Sequence, residues 1–327
     1  MNAAPAERVR AWLHILLCGA GSRFALAAAR SAHAPEHWLS ASDAELGRSL
    51  RATAAETAAL RDPAAAAKAR EAHAAFDRFG MALLSVADPE YPSALAATRH
   101  PPAVLFVRGD LSPDDRLAVG LVGSRAASNG GMSMARSLSA ELAPCLTIIS
   151  GMALGIDSAA HAAALEAGGR TIAVAGCGLD VDYPAGNREL RRHLVRSGQG
   201  AMVSPFPPGT PPRREQFPWR NRVLAGLSLA VVVVEAAERS GALSTAAAAL
   251  EEGRDVFAVP GDPSHPGAKG CNELLRAGAG VCTSGADVLR ELEDRLRSEL
   301  ALRRRAAPGP VPEAPRAAEP RAPKPAP

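Results

Sequence analysis

The chain has 327 residues, 47% of them hydrophobic and 22% charged, a composition that excludes a disordered or collagen-like protein and leaves room for two domains. No apolar run approaches the ~20 residues that cross a bilayer. The amphipathic stretch 11–20 behind Arg8 and Arg10 runs into glycines without a signal-peptide cleavage site, so a cytoplasmic protein without a membrane anchor is expected. The net charge of +3 divides unevenly: residues 303–327 carry five arginines, one lysine and two glutamates, a net +4, which leaves −1 on residues 1–302.

Residues 1–78 are rich in alanine at helical spacing and poor in β-branched residues, which predicts a small helical domain. Residues 79–116 read as a connecting segment punctuated by Asp88-Pro89, Tyr91-Pro92, Pro101-Pro102 and Gly109-Asp110. From residue 117 short apolar runs alternate with amphipathic helices. Buried strands are expected at 117–122, 145–150, 171–175, 201–204, 229–235, 255–259 and 280–282. Helices are expected near 131–143, 157–167, 186–197, 219–226, 242–252, 271–277 and 285–300. This pattern predicts an α/β fold, a doubly wound, mainly parallel sheet covered on both faces, with ligands beyond the carboxyl ends of the strands. The Pro/Ala/Arg-rich stretch 303–327 lacks the apolar residues for a core and is expected to be a disordered tail. The division is therefore 1–78, 79–302 and 303–327.

The five cysteines are dispersed, without a CxxC pair or a histidine at metal spacing, and read as reduced core thiols; no metal or cofactor is expected. The first strand ends in Gly123-Ser124-Arg125, followed by Ser128-Asn129-Gly130-Gly131 and a helix. Free amides at that helix start and the bidentate Arg125 donor suit a phosphate, although neither a dinucleotide fingerprint nor a Walker loop is present. The second strand ends in Ser150-Gly151, and Asp157 and His161 follow at i,i+4 spacing, read as structural rather than catalytic. Cys177, between two glycines, has no neighbouring base that would make it a nucleophile. Asn187 opens an arginine-rich stretch: residues 188–222 hold eight arginines against two glutamates. Within it Arg213, Arg214, Arg220 and Arg222 interleave with Phe217 and Trp219, the combination that single-stranded nucleic acid calls for, with guanidiniums on phosphates and aromatic faces under bases. The alternative is that the two aromatics latch the following helix. Asn221 completes this stretch, and Ser240-Gly241 repeats the small-residue pattern after the fifth strand.

Taken together, the phrases YPSAL (91–95), PPAVLFVRG (101–109), VGSRAAS (122–128), SGMALGID (150–157), FPWRNRVLAGLS (217–228) and KGCNELLRAGA (269–279) closely resemble the DNA-processing protein A family (DprA, also called Smf), over about residues 91–282. The resemblance implies an extended Rossmann-like fold that binds single-stranded DNA and helps load the RecA recombinase during natural transformation, as a homodimer and without catalysis. It also implies a DNA-contacting groove that includes Gly123, Ser124, Arg125, Ser150, Gly151, Asn187, Arg214, Phe217, Arg220, Asn221, Arg222, Ser240 and Gly241. The N-terminal zone fits the small helical domain of many members, with Gly19-Ala20-Gly21 resembling a helix-hairpin-helix turn. Gly130 stands where the family commonly has an aromatic and Pro205 where it has an acid, and no C-terminal winged helix is visible.

A second class of function shares this type of sheet: the lysine-decarboxylase-like phosphoribohydrolases, which cleave nucleotides with a glutamate in a PGGxGTxxE loop. The nearest phrase here, Ser240-Gly241-Ala242-Leu243-Ser244-Thr245, has neither that glycine run nor the glutamate.

Overall fold

The computed structural model describes residues 5–298. Six helices come first: α1 (Ala6–Leu17), α2 (Gly21–Arg30), α3 (Pro35–Ser40), α4 (Asp43–Leu50), α5 (Ala54–Arg61) and α6 (Pro63–Arg78). Their ends follow local chemistry. Ser42 and Thr53 accept the Glu45 and Glu56 amides as N-caps, and Thr53 and Glu56 complete a reciprocal capping box. The α1–α2 turn uses Gly19 and Gly21 at φ 91° and 86°, a conformation that side chains with a Cβ resist.

The sheet has nine strands: β1 (Ala82–Ser85), β2 (Val104–Gly109), β3 (Ala118–Val122), β4 (Thr147–Ser150), β5 (Thr171–Val174), β6 (Gly200–Ser204), β7 (Ala230–Val233), β8 (Asp255–Ala258) and β9 (Gly280–Val281). Between and after them lie α7 (Ser93–Ala96), α8 (Asn129–Leu142), α9 (Ile156–Glu166), α10 (Arg188–Arg196), α11 (Gln216–Leu227), α12 (Gly241–Glu251), α13 (Lys269–Arg276) and α14 (Gly285–Glu291). The strand order is β1-β2-β6-β5-β4-β3-β7-β8-β9. From β6 to β9 every neighbour is parallel, whereas β1 pairs β2 and β2 pairs β6 antiparallel. The seven strands expected from residue 117 onward are all present.

The segment 79–116 is more than a connection. It supplies the two antiparallel strands β1 and β2, which extend the sheet beyond β6. Val104-Leu105-Phe106-Val107 alternates strictly between the two faces, so the strand signal was there beneath the turn residues that flank it. Val104 and Phe106 join a core with Ala173, Met202, Leu194 and the N-terminal Trp12, Phe24 and Trp38. Leu105 and Val107 join Ile172, Val203 and the inner faces of α11 and α12 on the other side. The N-terminal helices thus share one core with a face of the sheet, and residues through Arg290 form one compact unit.

A second unit, Glu291–Pro327, is described as far as residue 298, a helical stretch in which Arg297 pairs with Glu293 at 2.5 Å. The tail expected at 303–327 lies outside the described residues. All five cysteines are free, and Cys177, Cys271 and Cys282 are buried; Cys145 is exposed, which corrects the expectation that all would be core thiols.

Candidate nucleic-acid interface

The order of winding reverses between β3 and β7: the chain leaves β3 toward β4 on one side and returns on the other as β7. Such a switch point opens a crevice at the carboxyl ends of the strands. A cleft of about 750 Å3 lies there, lined by Gly123, Ser124, Arg125, Arg214, Phe217, Arg220, Asn221, Ser240 and Gly241 from the loops after β3, β6 and β7.

The first loop is pinned at both ends. The Ser124 amide donates to the Glu235 carbonyl at 2.7 Å, and the Ile156 amide donates to the Ser124 carbonyl at 3.1 Å. Arg125 is exposed next to these ties, with its guanidinium carbon 5.0 Å from the centre of the Phe217 ring. Phe217 is half-buried at the start of α11, 6.0 Å from the half-exposed Tyr183 ring. The rings border a smaller niche with Leu154, Gly151 and Arg220. Leu154 and Tyr183 are two of only four large hydrophobic side chains exposed among the described residues. An aromatic face with a guanidinium above it and apolar groups left in water is a surface built for a flat, charged ligand.

Beneath that surface lies a buried polar frame. Arg220 is only 5% exposed. Its guanidinium donates to the Val174 carbonyl at 3.3 Å and lies 4.0 Å from the Asp157 carboxylate. Asp157 accepts the Gly151 and Ala153 amides at 3.1 and 3.2 Å. Burial pushes the Asp157 carboxyl up, opposed by the Arg220 charge and the two amides. Burial also pulls the Arg220 pKa down, opposed by Asp157. Asp157 and His161 both serve structure, as expected from their spacing, but separately: the His161 Nδ1 meets the Thr171 hydroxyl at 2.7 Å. Cys177 is 1% exposed, and burial raises its thiol pKa, which suits packing and not nucleophilic attack.

The α8 N-terminus is partly occupied from within the chain: the buried Glu235 carboxylate accepts the amide and hydroxyl of Ser128, the α8 N-cap, whose hydroxyl accepts the Gly131 amide, so a negative charge already stands at that helix start.

Four residues expected in the groove serve it from behind or lie elsewhere. Ser150 is buried and donates its hydroxyl to the Leu121 carbonyl at 2.6 Å. Gly151 borders the niche. Asn187 donates to the Met152 and Ala153 carbonyls at 2.9 and 3.0 Å, holding the loop after β4. Arg222 pairs with Glu251 at 3.2 Å, toward the end of α12 remote from the cleft. Asn221 lines the cleft but spends its amide on Ser244 at 2.6 Å. Conversely, Arg239 lines the cleft although sequence reasoning passed over it; its place directly before Ser240-Gly241 in a strand-end loop was the available signal.

A family model described as DNA recombination-mediator protein A matches residues 82–293. The DNA processing protein DprA of Streptococcus pneumoniae is 44% identical over 209 residues, 64% of this chain and 73% of that protein. Protein Smf of Escherichia coli is 46% identical over 209 residues, 63% of this chain and 56% of that protein. The solved structure of Streptococcus pneumoniae DprA superposes with a TM-score of 0.69 at 34% identity, covering 89% of this chain and 99% of that one. Helicobacter pylori DNA processing protein A, solved to explain its single-stranded DNA binding mode, gives 0.59 at 28% identity, covering 66% and 97%. With a family model matched across the whole sheet and relatives of this similarity, the chain belongs to the DNA-processing protein A (DprA/Smf) family.

Proposed function

We propose that this chain is a single-stranded-DNA-binding recombination mediator, acting without catalysis in the cytoplasm, that protects incoming strands and loads RecA during natural transformation. The observation that carries the reading is the exposed Arg125 over the half-buried Phe217 at the mouth of a cleft that also gathers Arg214, Arg239, Ser240 and Gly241. Guanidiniums take phosphates and the ring takes a base, a sequence-tolerant mode in which each stacked base contributes roughly 1–3 kcal/mol. The Helicobacter pylori relative binds single-stranded DNA, which supports the same ligand here. We assign residues 79–302 to this DNA-binding domain and 1–78 to a helical module fused onto one of its faces. A homodimer is the assembly we expect, as in the family resemblance.

The phosphoribohydrolase reading is disfavoured by one observation: the Asp157 carboxylate lining the cleft is committed to two backbone amides and Arg220 and is not presented to a substrate. Release of base from AMP would reverse that judgement.

The test is a fluorescence-anisotropy titration of labelled poly-dT against matched duplex at two salt concentrations. Tight, salt-sensitive preference for the single strand is the expected result; equal or negligible binding to both would overturn the reading.

A further inference from the structure

The structure sorts the arginines that the sequence offers as one basic run. Arg188 pairs with Asp182, Arg192 with Glu189 and Arg222 with Glu251. Arg191 is buried, donating to the Val181 and Tyr183 carbonyls at 2.6 and 2.9 Å. Arg196, at the last turn of α10, is exposed and makes no ion pair among the described residues.

Two further guanidiniums converge on one ring from other segments. Arg78 ends α6 and Arg108 lies in β2, and their Cζ atoms stand 5.6 and 4.9 Å from the centre of the half-buried Phe79 ring. Neither makes an ion pair among the described residues. The Arg108 Nε is buried without a hydrogen-bond partner, and its Nη1 reaches only the Leu179 carbonyl at 3.4 Å. Burial, then the Arg191 and Arg196 charges, pull the Arg108 pKa down, while Asp182 and Asp180 oppose them. Those two carboxylates are already engaged, Asp182 by Arg188 and Asp180 by the Gly209 amide. Crowded guanidiniums with no acid of their own are relieved by an external anion.

We propose that Arg78 and Arg108 around Phe79, together with the exposed Arg196, form a second phosphate-binding station for single-stranded nucleic acid, reached by a strand that leaves the cleft over the 179–183 loop. This extension rests on the DNA-binding reading of the cleft. The loop joins the two surfaces: Tyr183 faces Phe217 at the niche, and the loop's carbonyls at 179, 181 and 183 rest on Arg108 and Arg191. Guanidiniums around an aromatic ring, next to a surface of the same composition, favour a nucleic-acid strand over an acidic peptide, which has no base to stack.

The test compares the full-length protein with its Arg78→Gln/Arg196→Gln double variant on two labelled oligo-dT probes, one of about ten nucleotides, which the cleft alone accommodates, and one of about forty. Both substituted side chains are exposed, and circular dichroism checks that the fold is kept. The expected result is unchanged binding of the short probe and several-fold weaker binding of the long one. The long probe's salt slope should fall by about 1.4, two phosphates at ~0.7 each. An equal effect on both probes, or none on either, overturns the second station. If the unmodified protein binds neither probe, the cleft reading itself fails and the extension falls with it.

Discussion

The Arg125 guanidinium stands 5.0 Å above the Phe217 ring, on a loop tied by backbone hydrogen bonds to both the β7 end and the α9 start. A cation–π contact at an exposed site contributes about 0.5–1 kcal/mol, less than the ~1.5–3 kcal/mol of a charge-assisted hydrogen bond to phosphate. The pairing therefore orients Arg125 without consuming it. Arg125→Ala should weaken single-strand binding on every sequence tested and reduce the salt slope by ~0.7, because a phosphate contact carries no base information. Anisotropy titrations at several salt concentrations check this; an unchanged slope removes Arg125 from the interface.

Phe217 has two possible duties, a stacking face or a latch for α11. Its ring packs so closely on Gly176 that a Cβ there would lie 3.0 Å away, yet the side chain is only half-buried. Phe217→Ala should cost ~1–3 kcal/mol of binding, the value of one stacked base, while the thermal unfolding midpoint moves by a few degrees at most. A variant that unfolds would favour the latch.

Glu235 places its carboxylate on the amide and hydroxyl of the α8 N-cap Ser128 while its own carbonyl accepts the Ser124 amide. It is a positioning residue for the loop that carries Arg125. Glu235→Ala would leave a part-buried amide at a helix N-terminus without its acceptor, a cost toward the lower end of ~1–3 kcal/mol. The expected outcome is a lower denaturant midpoint together with weaker strand binding at an unchanged salt slope, since no phosphate contact is removed. A reduced slope would mean that Glu235 acts in some other way.

Much of this was legible in the chain. The seven parallel strands announce themselves as continuous apolar runs because both faces are covered, and Gly123-Ser124-Arg125, Arg214 and Phe217 fall at strand ends where the topology converges. What stayed hidden was set by tertiary partners. Arg222 and Arg214 look alike in sequence, but helical geometry turns Arg222 toward Glu251 and leaves Arg214 on the cleft. The occupant of the α8 N-terminus, Glu235, lies 107 residues from Ser128, beyond the reach of any local pattern. The antiparallel strands β1 and β2 were masked by the prolines and glycines around them.

His161 gives the fold a specific acid sensitivity. The Thr171 hydroxyl donates to the Ile148 carbonyl, so it accepts from the His161 Nδ1–H, and the buried Nε2 lone pair has no partner. Protonating Nε2 would bury a cation beside Arg220; burial first, and then Arg220, hold the pKa down to about 3 from 6.5. Because the folded value is depressed, the unfolded chain takes up the proton first as pH falls. This contribution to stability is complete above pH 6.5 and is lost toward pH 3, at up to ~1.4 kcal/mol per pH unit. Urea midpoints should drop between pH 7 and pH 5, and His161→Gln should flatten that drop whatever its own stability. Parallel pH profiles for the two proteins would rule out His161 as the source.

Gly151 is where the buried frame and the binding surface meet. A Cβ at this position would lie 1.3 Å from the Arg220 Nη1 and 2.7 Å from an Asp157 oxygen. Neither partner has room to retreat: Arg220 is pinned between the Val174 carbonyl and Asp157, and Asp157 holds the amides of Gly151 and Ala153. Gly151→Ala must therefore separate the Arg220–Asp157 pair or shift the loop after β4. Overpacking of this kind costs typically ~1–3 kcal/mol, and leaving a buried charge without its partner adds several more. The variant should lose stability well beyond the Arg125→Ala change and lose strand binding with it, since Arg220 lies within contact of the Phe217 ring at 5.7 Å. Adding Asp157→Asn to Gly151→Ala should recover little, because Arg220 would then lack any carboxylate. Measured unfolding free energies for the single and double variants decide this: a Gly151→Ala protein as stable as the parent would mean that the Arg220–Asp157 frame yields far more easily than its burial implies.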